Sequence, residues 1–274
     1  MKNPRPVKRA ETIFYRMRLY HNWIKRQLLN KYARGASSLL DLCCGKGGDL
    51  DKWIDNKIKY VLGYDINSDS IIEAKTRLKE KYVDDDMRVE FRVMDLAKEP
   101  IAPQIVGNVP LQFDVVTSMF AFHYMFATEE SFETILTTIK NNLKIGGWFI
   151  GCLFDNKAVT ELLVSNTDGI ENDRFESPDG SFRIVRKGPH SRYLFGNRIE
   201  VFMNETVLDA PTDEFLVDFD QLVEVFYNEG LILEETSMFD STYATWKNEY
   251  GSDLSPVQQR ISFLNRSFVF KRIS

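Results

Sequence analysis

The sequence predicts an α/β protein built on a mostly parallel, seven-stranded sheet with helices on both faces, an N-terminal helical arm and a β-hairpin insertion. Three observations predict it. Short β-branched and aromatic runs alternate with helix-period segments from residue 37 to residue 154. A glycine cluster follows the first of those runs. After a polar interruption, one helix and two more strand-like runs close the chain. Alternation of this kind is the βαβ signature, because parallel neighbours need a crossover long enough to hold a helix.

Each element has its own local reason. In residues 11–33 the apolar positions Ile13, Met17, Tyr20, Ile24 and Leu28 recur at helical spacing, which predicts an amphipathic arm of one or two helices. Strand-like runs then fall at 37–44, 60–66, 88–96, 113–122 and 147–154. Between them lie helical stretches near 48–57, 68–82 and 129–143, the last opened by the N-cap residue Thr128 with Glu129 and Glu130 in the positive first turn. Residues 165–180, "SNTDGIENDRFESPDG", read as a mobile loop, and "FRIVRK" (182–187) with "NRIEVFMNETV" (197–207) as a hairpin laid over the core. A helix at 218–229, a strand at 231–239, a linking helical region and a strand at 266–273 complete the sheet. The expected organisation is one domain over residues 1–274: a basic arm (1–35), a core (36–155), an insertion (156–215) and the C-terminal part of the sheet (216–274).

Composition narrows the function. With 43% hydrophobic and 27% charged residues the chain is of ordinary globular make-up. It holds no run of about 18 apolar residues, and its basic N-terminus has no apolar stretch of the secretory type, so an intracellular protein is expected. Cys43, Cys44 and Cys152 cannot form an even disulfide framework, and none stands at metal-ligand spacing with the three histidines, so free thiols and no metal are expected. A net charge of −5 weighs against a protein that coats duplex nucleic acid. Residues 1–34, however, carry Lys2, Arg5, Lys8, Arg9, Arg16, Arg18, Lys25, Arg26, Lys31 and Arg34 against the single acid Glu11. Such an arm serves either as a solvated tail or as a grip on a polyphosphate or a short stretch of RNA.

The glycine corner "LLDLCCGKGGDLDKW" (39–53) follows a strand and precedes a helix, the context every nucleotide-binding glycine loop requires. A P-loop fails, since Lys46 lies between glycines and no Ser or Thr follows it. The dinucleotide pattern G-x-G-x-x-G fits at Gly45 and Gly47 but puts Leu50 where the third glycine packs helix on strand. A D-L-x-C-G-x-G-G loop remains, in which glycines let the backbone approach a methionine moiety carrying no phosphate. Downstream, Asp65 ends the second strand, where an acid can take ribose hydroxyls, and Asp95 ends the third, within reach of an adenine amino group. An acid at a strand end is also an ordinary turn residue; two of them in register after a glycine corner favour a nucleoside.

Together "FYRMRLYHNWIK", residues 41–53 and "FAFHYMF" resemble the mRNA cap guanine-N7 methyltransferases over nearly the whole chain. The matching elements are His21-Asn22-Trp23-Ile24-Lys25 for the family's N-N-W-x-K helix, residues 41–53 for its D-L-G-C-G-K-G-G-D-L-x-K-W loop, Phe122-His123-Tyr124 for its C-H-Y segment, and Glu214-Phe215 for its E-[FY] pair. The resemblance implies a class I S-adenosylmethionine-dependent methyltransferase fold, Rossmann-like with seven strands. It also implies methyl transfer to N7 of the cap of GpppN-RNA without a general acid or base. Lys25, Asp41, Cys43, Gly45, Asp65, Asp95, Met119 and Tyr124 would surround S-adenosylmethionine. Asn22, Lys46, Asp49, Lys52, Arg77, His123, Glu214 and Asn265 would surround the cap, with His123, Tyr124 and Glu214 orienting the guanine.

A chain beginning almost at the motif helix is similar to the methyltransferase domain that large DNA viruses fuse behind triphosphatase and guanylyltransferase domains. A cytoplasmic setting follows if viral, a nuclear one if cellular. Three departures stand out: Cys43 replaces a glycine, Met119 a glutamine, and Asn265, with Phe263 nearby, the tyrosine expected over the cap. The rival readings are another RNA-base or small-molecule methyltransferase on the same fold, or a silent partner module of a capping enzyme.

Overall fold

A computed structural model describes residues 12–81, 86–106, 109–165, 173–188, 194–204 and 210–274. Lys2, Arg5, Lys8 and Arg9 of the basic arm lie outside the described residues, as do 166–172 of the expected loop and 205–207 of the expected hairpin.

The arm is one helix, α1 (Tyr15–Tyr32), which buries Met17, Tyr20, Trp23, Ile24, Leu28 and Leu29 along one stripe. Then come β1 (Ser38–Leu42), α2 (Leu50–Asp55), β2 (Tyr60–Asp65), α3 (Ser68–Lys79) and β3 (Arg88–Val93). A short hairpin, β4 (Gln104–Val106) and β5 (Val109–Leu111), leads to β6 (Phe113–Met119), α4 (Glu129–Asn142) and β7 (Leu143–Phe154). The rest comprises α5 (Asn156–Ser165), β8 (Arg174–Glu176), β9 (Phe182–Arg186), β10 (Arg198–Met203), β11 (Thr212–Phe215), α6 (Phe219–Asn228), β12 (Leu231–Met238), α7 (Phe239–Tyr250), α8 (Pro256–Ser262) and β13 (Asn265–Arg272).

The main sheet runs β12-β13-β7-β6-β1-β2-β3. Only β13 is antiparallel to its neighbours. From β1 the chain winds outward through β2 and β3, then returns to β6 on the other side of β1, so the order reverses between β1 and β6. Crossovers on opposite faces diverge there and open a crevice beyond the carboxyl ends of the strands. All five residues of β1 are buried, as expected of a strand covered on both faces.

Thr128 accepts from the backbone N–H of Ser131 and caps α4 as its sequence predicts. The predicted strand 113–122 is shorter: β6 stops at Met119 because Phe120 takes a left-handed φ of 62°, and Phe122–Phe126 coil into a 3₁₀ turn. The insertion is also larger than a hairpin. Strands β9 and β10 are its centre, but β8 and β11 flank them in a four-stranded antiparallel sheet, β11-β10-β9-β8. These flanking strands are three and four residues long and sit among polar residues, so alternation could not reveal them.

Candidate active site at the reversal of strand order

The glycine corner sits on the crevice. The Cys44 amide donates to the Tyr64 carbonyl at 2.7 Å, tying the loop to the end of β2. Gly63, beneath it, has no room for a side chain: a Cβ there would stand 2.9 Å from Cys44 Sγ and from the Phe91 ring. Cys43 has φ 63°, a left-handed conformation that costs an L-residue roughly 1 kcal/mol and that glycine adopts freely. The departure from the family's glycine is therefore a backbone matter first. Burial, then the carboxylates of Asp65 and Asp41, push the Cys43 thiol up to about 12, so it is no nucleophile at neutral pH.

Lys25, Asp41, Cys43, Gly45 and Met119, all expected at the cofactor, line one cavity of about 250 Å³, together with Lys46, Asp49 and Arg77 from the set expected at the cap. At its edge Asp65 accepts the Gly45 amide at 2.7 Å and the Asn67 amide at 2.9 Å. A carboxylate offers about four lone-pair sites, so roughly two remain for a ligand. Asp95, after β3, accepts the Ala97 amide at 3.1 Å and pairs with the exposed Lys98 at 2.9 Å. Asp41 is buried and accepts the Thr117 hydroxyl at 2.6 Å; burial, then the nearby Asp49, raise its carboxyl to about 7.

The cations divide into two groups. Lys46 Nζ and the Arg77 guanidinium converge on Glu73, at 2.8 and 2.7 Å, and remain partly exposed. Lys52 does not face the cavity. It is 4% exposed, and its Nζ is held by Asp49 at 2.8 Å, by Asn22 Oδ1 at 2.8 Å and by the Gly48 carbonyl at 3.4 Å. Lys52 and Asn22, both expected at the cap, are thus bonded to each other, with Lys52 buried and Asn22 half-buried. Asn265 too is bonded within the fold. Its Nδ2 donates to the carbonyls of Ile261 and Ser262, at 3.0 and 3.1 Å, and it is buried at the end of α8 instead of facing the crevice.

A second cluster stands beside the first. His123 lies in the 3₁₀ turn after β6, and Glu214 points inward from β11 opposite Ile199. Both are buried, and His123 Nε2 stands 3.2 Å from Glu214 Oε2. The approach is off-line: among the described residues neither imidazole nitrogen nor that oxygen has a hydrogen-bond partner. Each such group costs about 1–3 kcal/mol, so the fold keeps them against its own stability. The His123 and Tyr124 rings meet at 4.3 Å, with Phe154 6.4 Å from His123. Burial, then the carboxylate of Glu214, raise the Tyr124 phenol, and Cys43 and Asp65 act on it as well. Tyr124 thus lies between the glycine corner and the Glu214 cluster and keeps its hydroxyl proton.

Sequence reasoning missed Ile66, 65% exposed directly after Asp65, and Phe154 at the end of β7. Neither had a signal: Ile66 reads as the last residue of the run 60–66, and the structure ends β2 one residue earlier.

The model of the mRNA (guanine-N(7))-methyltransferase domain matches residues 2–264. The chain belongs to this family. It is 38% identical over 248 residues to an mRNA cap guanine-N(7) methyltransferase of Caenorhabditis briggsae, covering 87% of this chain and 64% of that protein. It thus spans less than two thirds of this relative's length. Among solved structures it is similar to a putative S-adenosylmethionine-dependent methyltransferase from Listeria monocytogenes, with TM-score 0.59, 17% identity, and coverage of 93% of this chain and 98% of that one. A glycopeptide N-methyltransferase complexed with S-adenosylmethionine gives TM-score 0.53 and 14% identity, covering 91% and 92%. These two likenesses show the fold, that of S-adenosylmethionine-dependent methyltransferases. Family membership fits the geometry, since the motif loop lines the cavity at the reversal of strand order and His123 and Glu214 pair beside it.

Proposed function

We propose that this chain, working as one domain, transfers a methyl group from S-adenosylmethionine to N7 of the guanosine cap of mRNA. The observation that carries the reading is the buried Glu214–His123 pair beside the cavity of the glycine corner, in which both imidazole nitrogens and Glu214 Oε2 lack an in-line hydrogen-bond partner among the described residues. A fold retains such groups for a ligand that completes them.

The residues fit the two ligands. Lys25 lines the cavity with an ammonium suited to the amino-acid carboxylate of the cofactor, and Asp65 keeps lone pairs for ribose hydroxyls. When bound, S-adenosylmethionine supplies a methyl group activated on a sulfonium. Guanine N7 already carries a free lone pair, so no residue need remove a proton. What the chain supplies is exclusion of water and alignment, which can be worth up to roughly 7–11 kcal/mol. Glu214 can accept from the N1 and N2 donors of guanine at once, where adenine would present an acceptor at N1. His123 and Tyr124 fix the base from the end of β6, and Lys46 and Arg77 supply positive charge for the triphosphate.

The reaction also sets its company. A triphosphatase and a guanylyltransferase must act on the RNA end first, in the same polypeptide and in the cytoplasm for a viral capping enzyme, in the nucleus for a cellular one. The test is transfer of a radiolabelled methyl group to unmethylated capped RNA, followed by nuclease mapping. Label at the cap guanine is expected; label on an internal base, or none, contradicts the reading.

A further inference from the structure

The Glu214–His123 pair joins two sheets. His123 belongs to the core, in the turn after β6, whereas Glu214 sits on β11, an edge strand of the insertion sheet that pairs on one side only, with β10. Their separation of 3.2 Å therefore depends on what pins the carboxyl end of β11 to the core. Three residues after Glu214, Val217 forms an isolated parallel bridge with Asp155, the residue after β7. Asp155 is itself held at three points. Its amide donates to the Leu264 carbonyl at 2.8 Å, its Oδ1 accepts the Ala158 amide at 2.9 Å, and its Oδ2 accepts Arg266 Nε at 2.7 Å. The Asp155 side chain is 4% exposed and that of Arg266 20%, so this ion pair stands largely out of water. Arg266, on β13, also donates to the Thr236 hydroxyl of β12 at 3.2 Å and lays its guanidinium 4.6 Å from the centre of the Phe219 ring, where α6 begins. One side chain thus grips β12, the end of β7 and the start of α6.

We infer that Arg266 is a positioning residue for the reading of the cap base: through Asp155 and Phe219 it fixes where β11 stands against the turn of His123, and so where the Glu214 carboxylate stands. The inference rests on the proposed reading of guanine by Glu214. The segment from Phe215 to Asp218 is caught between Glu214 and two points that Arg266 holds, the Asp155 bridge and the Phe219 ring. Phe154, next to Asp155, meets His123 from the other side at 6.4 Å, so the same junction borders both members of the pair. The residue type suits the task. A guanidinium can donate to a carboxylate and to a hydroxyl while its plane covers an aromatic ring, where an ammonium would satisfy one of these. Without Arg266 the buried Asp155 charge would lack its cation, and the junction would move to bring water to it.

The experiment compares kcat/KM for methyl transfer to RNA capped with guanosine and to RNA capped with inosine, which keeps the N1 donor but lacks the N2 amino group. Wild type should prefer guanosine, and Arg266→Met should shrink that preference about fivefold, the scale of coupling between groups in one network. Calorimetric affinity for S-adenosylmethionine should be unchanged. Arg266→Lys keeps the charge beside Asp155 but not the fork, so it should fall between wild type and Arg266→Met, and it carries the test if the methionine variant does not fold. In a Glu214→Gln background Arg266→Met should alter the preference no further, because it acts through Glu214. A variant that is slower on both caps with its preference intact would make Arg266 a merely structural residue and overturn the inference. So would a full further loss in the Glu214→Gln background, or weakened S-adenosylmethionine binding. A wild type without preference for guanosine over inosine would remove the reading of guanine by Glu214, and this inference with it.

Discussion

The cofactor corner and the Glu214 cluster lie side by side and are built on opposite plans. At the corner most polar groups are answered within the fold: Asp65 by two backbone amides, Asp41 by Thr117, and Asp49 Oδ2 by Lys25, while Asp49 Oδ1 has two ammonium groups beside it but no in-line donor among the described residues. In the cluster, His123 and Glu214 are buried 3.2 Å apart, and neither imidazole nitrogen nor Glu214 Oε2 has an in-line hydrogen-bond partner among the described residues. The corner also comes largely from one stretch of chain, whereas the cluster joins a turn after β6 to a strand about ninety residues later. On the proposed reading, the first region is set before anything binds and the second is completed by its ligand. A polar group with a partner holds its place and loses little when a ligand leaves, while one without a partner is stabilised only when the ligand arrives. Specificity is therefore expected from the cluster and affinity for the nucleoside from the corner.

The largest break in this contrast is expected from Glu214→Gln. Glutamine keeps the size but presents an NH₂ to one of the guanine donors, so transition-state binding should fall by roughly 2–5 kcal/mol. That is about 30- to several-thousand-fold in kcat/KM for methyl transfer to capped RNA.

A stability effect of roughly 2–4 kcal/mol comes next, at Asp41. Its folded carboxyl titrates near 7 because burial, then Asp49, disfavour the charge, while an unfolded aspartate titrates near 3.8. Between those values the folded state holds the proton more tightly, so wild type loses stability as pH rises from about 4 to 7 and stays at the lower level above. Asp41→Asn carries no charge to bury. It should melt higher than wild type at pH 8, with the margin shrinking toward pH 5, as thermal unfolding across that range would reveal.

Asp65→Ala removes an acceptor from the ribose hydroxyls and should weaken S-adenosylmethionine by roughly 1.5–3 kcal/mol in calorimetry, leaving cap-analogue affinity nearly unchanged. The smallest effect belongs to Cys43→Gly. Glycine relieves the left-handed strain but loosens the unfolded chain, so activity should persist and stability rise by no more than about 1 kcal/mol.

How far the sequence foretold this depended on how local each feature is. The strands of the main sheet, the Thr128 cap and the glycine corner are written in short stretches and were legible. So was the convergence of Lys25, Asp41, Cys43, Gly45 and Met119, through the motifs they belong to. Illegible were relations that only packing creates. That Lys52 faces Asp49 and Asn22 depends on where α1 lies across α2. That the Asn265 side chain bonds the last carbonyls of α8 depends on how the chain turns between α8 and β13. Strands β8 and β11 are too short for alternation to register, although β11 carries Glu214.

The contrast between the two regions is tested most directly by crossing the two variants with the two ligands. Calorimetric affinities of S-adenosylmethionine and of an unmethylated cap analogue would be measured for wild type, Asp65→Ala and Glu214→Gln. The expected result is a double dissociation: Asp65→Ala weakens the cofactor alone and Glu214→Gln the cap analogue alone. Loss of both ligands in both variants, or normal cap affinity in Glu214→Gln, would contradict it and leave the buried pair at His123 and Glu214 without a role in reading the cap.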